Sequence, residues 1–317
     1  MSARALLRPL TLLAVVGLTG ALGACSYMPQ FKSLQDVKLF NRTASTPEVL
    51  APVKERPETL IGVTAANTLV TFQASEPGRL LSSQPIQGLK AGEEFLGIDF
   101  RVAKGQLFGL TNQGRLLQID PDKATVTPVG AGITLPEGQA FGFDFNPTVD
   151  RIRVVSDAGH NLRLHPETGA QVDGDANTPG VQPDGTLRYA PGDLLSNTKP
   201  RIVSAGYTYN QTNEKLTTNY AIDAGAGYLV VQGSLEGAAT PVSPNTGLLQ
   251  AIGPLLIERF DSAALDISDV NNAAYLATSR QDGREPRLYE VNLGSGQARL
   301  IGTIGTAQGL RGMAIVP

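Results

Sequence analysis

One short β unit recurs along this chain, and that recurrence restricts the fold more than any other feature of the sequence. LFGLTNQGRLLQIDPDKATVTPVG starts at Leu107. LIGVTAANTLVTFQASEPGRLLSSQPIQG, from Leu60, and AYLATSRQDGREPRLYEVNLGSGQARLIG, from Ala274, fall beneath it. Each copy has an apolar strand ending at or near Thr, a polar turn, a second strand, a Gly-containing turn and a third strand closing on glycine. The alternation of apolar and polar residues is that of half-buried strands. A further strand precedes the unit: LGIDF (96–100), FGFDF (141–145), AGYTY (205–209), AALDI (263–267) and RGMAI (311–315). These strands start 45, 64, 58 and 48 residues apart, the spacing of four-stranded propeller blades, about 40–50 residues each.

The two ends of the repeat complement each other. GMAIVP has no partner strands after it, and the unit from Thr59 lacks a first strand before it. Joining them makes a complete blade and removes two open sheet edges. The expected fold is therefore an all-β propeller over residues 59–317. Five four-stranded blades are expected, closed by the C-terminal strand, with six blades as the alternative.

The segment before the repeats reads differently. Arg4 and Arg8 precede the apolar run LTLLAVVGL (10–18), which is shorter than the roughly 20 residues of a membrane span and suits a secretory signal core. Leu22-Gly23-Ala24-Cys25 resembles the lipobox of bacterial lipoproteins, and Cys25 is the only cysteine in the sequence. This predicts a signal peptide at 1–24, a lipidated Cys25 holding the protein to a membrane, and a flexible tether over 25–58. In that resemblance, Ser26 favours the outer membrane of a Gram-negative cell. Without residues 1–24 the chain has 24 basic and 29 acidic residues, net −5. That balance, with no basic run, argues against nucleic acid as a partner.

Candidate sites fall into three groups. His160 and His165 are the only histidines. They take routine places in the repeat: His165 aligns with Asp120 and Asn292 before a turn, and His160 with Arg115 and Arg287. Both are expected to be structural. Asp99, Asp144 and Asp266 share one position in three first strands, with Thr208 and Ala314 at that position in the other two. First strands line a propeller's channel, so these carboxylates are ligand-binding candidates. Their repetition also fits a role in tying neighbouring backbone. The insertion DGDANTPGVQPDG (173–185) breaks the repeat. Its Asp173, Asp175, Asn177 and Asp184 have the oxygen spacing of a calcium loop, although Thr178 replaces the required glycine and no helices flank it. The sequence has no GxSxG, HExxH, P-loop or cysteine pair, so no residue is assigned a catalytic role and calcium is the one cofactor considered.

From FGFDFNPTVDRIRVVSDAGHNLRLHPETG through IVSAGYTYN, together with GIDF–LFGLTNQGRLLQIDPDKA and ALDI–YLATSR, the chain resembles the bacterial domain-of-unknown-function family DUF4394 over roughly residues 59–317. The resemblance implies an extracytoplasmic propeller-like protein and brings no activity with it. The expectation is a lipid-held binding or scaffold module of the bacterial cell envelope whose partners are a protein or a glycan. The alternative is an envelope hydrolase or lyase using channel-facing carboxylates on a carbohydrate or small metabolite.

Overall fold

The computed structural model describes residues 48–280 and 285–317. The signal peptide, Cys25 and the tether up to residue 47 lie outside the described residues. Five sheets make the described body. The first joins β1 (Thr59–Thr64), β2 (Thr68–Gln73) and β3 (Leu80–Pro85) to β20 (Leu310–Ile315). The second runs β4 (Phe95–Arg101), β5 (Gln106–Thr111), β6 (Leu116–Asp120), β7 (Thr125–Val129). The third has β8 (Phe141–Asn146), β9 (Arg151–Ser156) and β10 (Asn161–Leu164). The fourth has β12 (Ile202–Tyr207), β13 (Asn219–Asp223), β14 (Tyr228–Gln232) and β15 (Leu248–Pro254), with the short β11 (Arg188–Tyr189) parallel to its outer edge. The fifth runs β16 (Ser262–Ile267), β17 (Ala274–Ser279), β18 (Arg287–Val291), β19 (Ala298–Thr303).

This is a five-bladed β-propeller. It closes as the two incomplete ends require: β20 pairs antiparallel with β1, Leu60 opposite Ile315 and Gly62 opposite Met313. Two blades depart from four strands. The chain after β10 leaves its sheet with a single bridge, Leu164 to Gln171, and its continuation supplies β11 to the next blade instead. Among the described residues there is no α-helix, and none is long and apolar enough to cross a membrane.

Every blade alternates its side chains between two faces, so apolar residues face both neighbouring blades. The core is accordingly five apolar layers, one between each pair of adjacent blades. Phe72, Leu60 and Tyr275 fill the layer between the fifth and first blades. Phe95, Leu107 and Leu117 fill that between the first and second. Phe108, Phe143, Phe145 and Val154 follow between the second and third. Truncating one such leucine to alanine costs about 2–5 kcal/mol.

The end of the expected tether is fixed to the body. Leu50 bridges Leu300, and Ala51 N–H donates to the Leu300 carbonyl at 2.7 Å. Arg56, buried, donates to Glu290 at 2.8 Å. Glu58 accepts from Tyr275 Oη at 2.7 Å. Flexibility expected of residues 25–58 therefore does not extend to 48–58, which form a strap across the fifth blade.

Candidate functional site

The innermost strands β4, β8, β12, β16 and β20 ring the central channel. Close approach in this ring demands small residues. A Cβ on Gly97 would lie 2.6 Å from Phe143 Cβ, and one on Gly312 would lie 2.6 Å from Ile98 N. Two residues along β4, on the same face as Gly97, stands Asp99. Its Oδ2 accepts from Phe145 N–H of the next inner strand and its Oδ1 from Phe100 N–H, both at 2.7 Å. Asp144 Oδ1 accepts from Tyr207 N–H at 3.0 Å. Asp266 accepts from Ile315 N–H and from Ile267 N–H, each at 2.6 Å. At the junction of β12 with β16, Ser204 Oγ accepts from Leu265 N–H at 2.7 Å. The aspartates are fasteners between blades.

These bonds also fix the register of the ring. Each fastener accepts from the last or next-to-last residue of the following inner strand, which places Gly206 and Ala314 beside Asp99, Asp144 and Asp266. The sequence alignment put Thr208 there. A slip of two residues in AGYTY keeps every side chain on its face, so alternation could not reveal it. Thr208 instead accepts from Thr218 N–H through Oγ1 at 2.8 Å.

The three aspartates, brought together as the sequence suggested, offer carboxylate oxygens all within 4.8 Å of one another. All are buried. Two ionised carboxylates at that separation repel by about 3 kcal/mol at an effective dielectric near 20. Burial, followed by the neighbouring aspartates, pushes Asp99 and Asp144 well above the usual carboxylate range. Burial also raises Asp266, to about 7, against the pull of its two backbone donors. Such a cluster holds protons, or three hard oxygen donors for a divalent cation.

The triad ends in a cavity of about 120 Å³ bordered by Phe100, Tyr207 and Tyr209. This is smaller than the roughly 300 Å³ at which small-molecule pockets begin, and fits water or an ion. Arg101, on the cavity wall, is directed to Asp150 and to Glu167, the latter at 2.6 Å. Lys104 also reaches Glu167 at 2.6 Å, and these two cations hold Glu167 down at about 2. Arg101 thus clamps the second blade to the turns of the third, a role not visible in the sequence.

The histidines sit as the repeat implies. His165 Nδ1 accepts from Glu167 N–H at 3.1 Å, as Asp120 does from Asp122 N–H and Asn292 from Gly294 N–H. His160 accepts from Ser156 N–H through its carbonyl, as Arg115 does from Thr111 N–H.

The insertion residues are not gathered round one point. Asp173 accepts from Asp175 and Gln182 N–H, and Asp175 from Asn177 N–H and Thr178 Oγ1. Asp184 is buried elsewhere, with Arg153 at 2.5 Å and Arg163 on both oxygens at 2.8 Å. Among the described residues, the triad is the one cluster of three or more acidic or His/Cys side chains with ligand spacing.

Fold and site define a five-bladed propeller whose channel ends in three buried acids. The chain belongs to the family described as a domain of unknown function, DUF4394, matched over residues 68–314. No curated protein matches it. Solved structures similar to it include a nidogen/laminin complex, at 10% identity and TM-score 0.46, covering 82% of this chain and 98% of that one. Another is a structural genomics protein of unknown function from Bacteroides thetaiotaomicron, at 12% identity and TM-score 0.44, covering 83% of this chain and 62% of that one. A third is YCF48 bound to D1 peptide, at 13% identity and TM-score 0.33, covering 81% and 82%.

Proposed function

We propose that this protein is a lipid-anchored propeller of the bacterial cell envelope that works as a binding or scaffold module. The observation that carries the reading is the use made of the channel carboxylates. Asp99 and Asp266 have both oxygens on backbone N–H groups, and Asp144 has one. Acids tied in this way stiffen a ring and present its loop-built faces to a partner. The lipobox at Cys25 supports attachment to a membrane, and the strap at 48–58 would make the fifth blade the point where the tether leaves the body.

The alternative, a hydrolase or lyase, draws on the raised Asp266, which could donate a proton near neutral pH. Against it stand the small cavity and the crowding of the three carboxylates. Glycosidase carboxyl pairs are spaced by about 5–9.5 Å with room for a sugar between them.

Mass spectrometry of the mature N-terminus together with envelope fractionation tests the anchor. Acylated Cys25 in the membrane fraction is expected, and an unmodified cysteine in the soluble fraction would refute it. Crosslinking in intact cells, with and without residues 175–181, the part of the insertion beyond the Gly174–Gln182 backbone pair that leaves the buried Asp184 in place, tests the binding role. A discrete adduct that weakens on deletion is expected; turnover of envelope glycan abolished by Asp266→Asn would favour the enzyme.

A further inference from the structure

A second cavity, of about 320 Å³, opens between the third and fourth blades and is lined by Arg151, Arg153, Arg163, Tyr207, Ser243 and Asn245 among others. Among the described residues, no acidic side chain lines it. The strands dictate the convergence. Arg151 and Arg153 are two apart on β9 and share a face, while Arg163 stands opposite Arg153 on β10. Three guanidinium groups therefore project from one patch of one sheet.

Their counter-charge is incomplete. Asp184 serves both Arg153 and Arg163. The neighbouring Asp150 is taken by Arg101, and Asp173 turns a carboxylate oxygen to its own loop's N–H groups. Among the described residues, the Arg151 side chain meets only the carbonyls of Asp150 at 2.8 Å and Val149 at 3.3 Å. Arg153, fully buried, is completed by neutral groups: Tyr207 Oη at 3.2 Å, Asn161 Oδ1 at 2.8 Å and Asn245 Oδ1 at 2.6 Å. Ser243 and Asn245 belong to the long connection between β14 and β15, where other blades have a short turn, and Asp184 to the 173–185 insertion. Both departures from the repeat thus meet at this cavity.

We propose that this cleft binds an oxyanion, a carboxylate or phosphate carried on a small molecule, held by the Arg151 guanidinium over the buried Arg153. Planar forked donors match such oxygens in pairs, and the volume lies at the lower end for small-molecule sites. The inference deepens the binding role proposed above, yet it is tested apart from the anchor.

Isothermal titration and thermal melting of the folded protein with glucose 6-phosphate, inorganic phosphate, glucuronate and uncharged glucose distinguish the sources. The first two report phosphate recognition and the third carboxylate recognition. Saturable binding of at least one anion, with none of glucose, is expected. Arg151→Gln should leave the unliganded melt unchanged and weaken binding about tenfold, the loss of one charge-assisted bond. Asn245→Asp, which sets an internal carboxylate against Arg153, should abolish binding while preserving the fold. Absence of binding by every anion, equal binding of glucose, or undiminished binding by both variants would overturn the proposal.

Discussion

The acid-ended channel and the arginine cleft are neighbours that differ in almost every respect, and Tyr207 is the partition between them. Its backbone N–H holds Asp144, while its hydroxyl touches Arg153. On the channel side, residues recur from blade to blade and meet backbone groups that the fold itself supplies. On the cleft side, residues occur once and meet loops that the repeat does not contain. Repetition has produced a cluster closed on itself; departure from it has left positive charge facing solvent-accessible space.

Asp184 is the residue on which the cleft's charge balance depends most. Asp184→Asn leaves Arg153 buried without its anion, and a loss of about 3–5 kcal/mol in denaturant unfolding is expected. A loss within error would mean that the cleft is already compensated, and the contrast between the two regions would fall.

Acidity should sharpen the contrast, with a smaller effect. Asp266 titrates near 7 in the folded protein and near 3.8 when unfolded, so folding favours its protonated form. That contribution is full below about pH 4 and is lost as pH rises toward 7; Asp99 and Asp144 act in the same direction. Melting temperature should therefore be higher at pH 5 than at pH 8. Asp144→Asn keeps an acceptor for Tyr207 N–H and removes one of three crowded charges. It should stabilise the protein at pH 8 by about 1 kcal/mol, near the worth of one pKa unit, and flatten the pH profile. A variant as pH-sensitive as the parent would show that the triad is not the source.

The smallest expected effect concerns calcium. Because Asp184 is committed to arginines and Asp173 and Asp175 to their own loop, melting curves in calcium and in chelator should coincide for Asp144→Asn. A calcium-dependent rise in that variant that vanishes on adding Asp173→Ala would restore the insertion as a cation site.

What could be read in the sequence follows the same division. Strand spacing and the unmatched ends pointed to five blades and to closure of β20 on β1. The turn pattern placed His165 with Asp120 and Asn292, since all three accept from the residue two positions on. The aspartate ring was legible at Asp99, Asp144 and Asp266 and displaced at Thr208, where alternation is blind to a two-residue slip. The cleft was not legible. It depends on Arg153 meeting Asp184 and Asn245, 31 and 92 residues away, and no local pattern encodes contacts across two loops. The third blade's missing fourth strand was hidden for a related reason: the segment beyond Leu164 has turn-forming residues whichever blade it joins.

Closure by β20 bears on the order of folding. As the chain emerges from its N-terminus, β1, β2 and β3 come first, yet the inner place in their sheet stays vacant until residues 310–315 arrive. Asp266, too, waits for the N–H of Ile315. The pairing that closes the circle joins parts of the chain about 250 residues apart, the slow kind of contact. Until it forms, β1 offers a bare edge on which a second molecule could dock. A chain shortened before residue 310 would keep that edge bare in every copy.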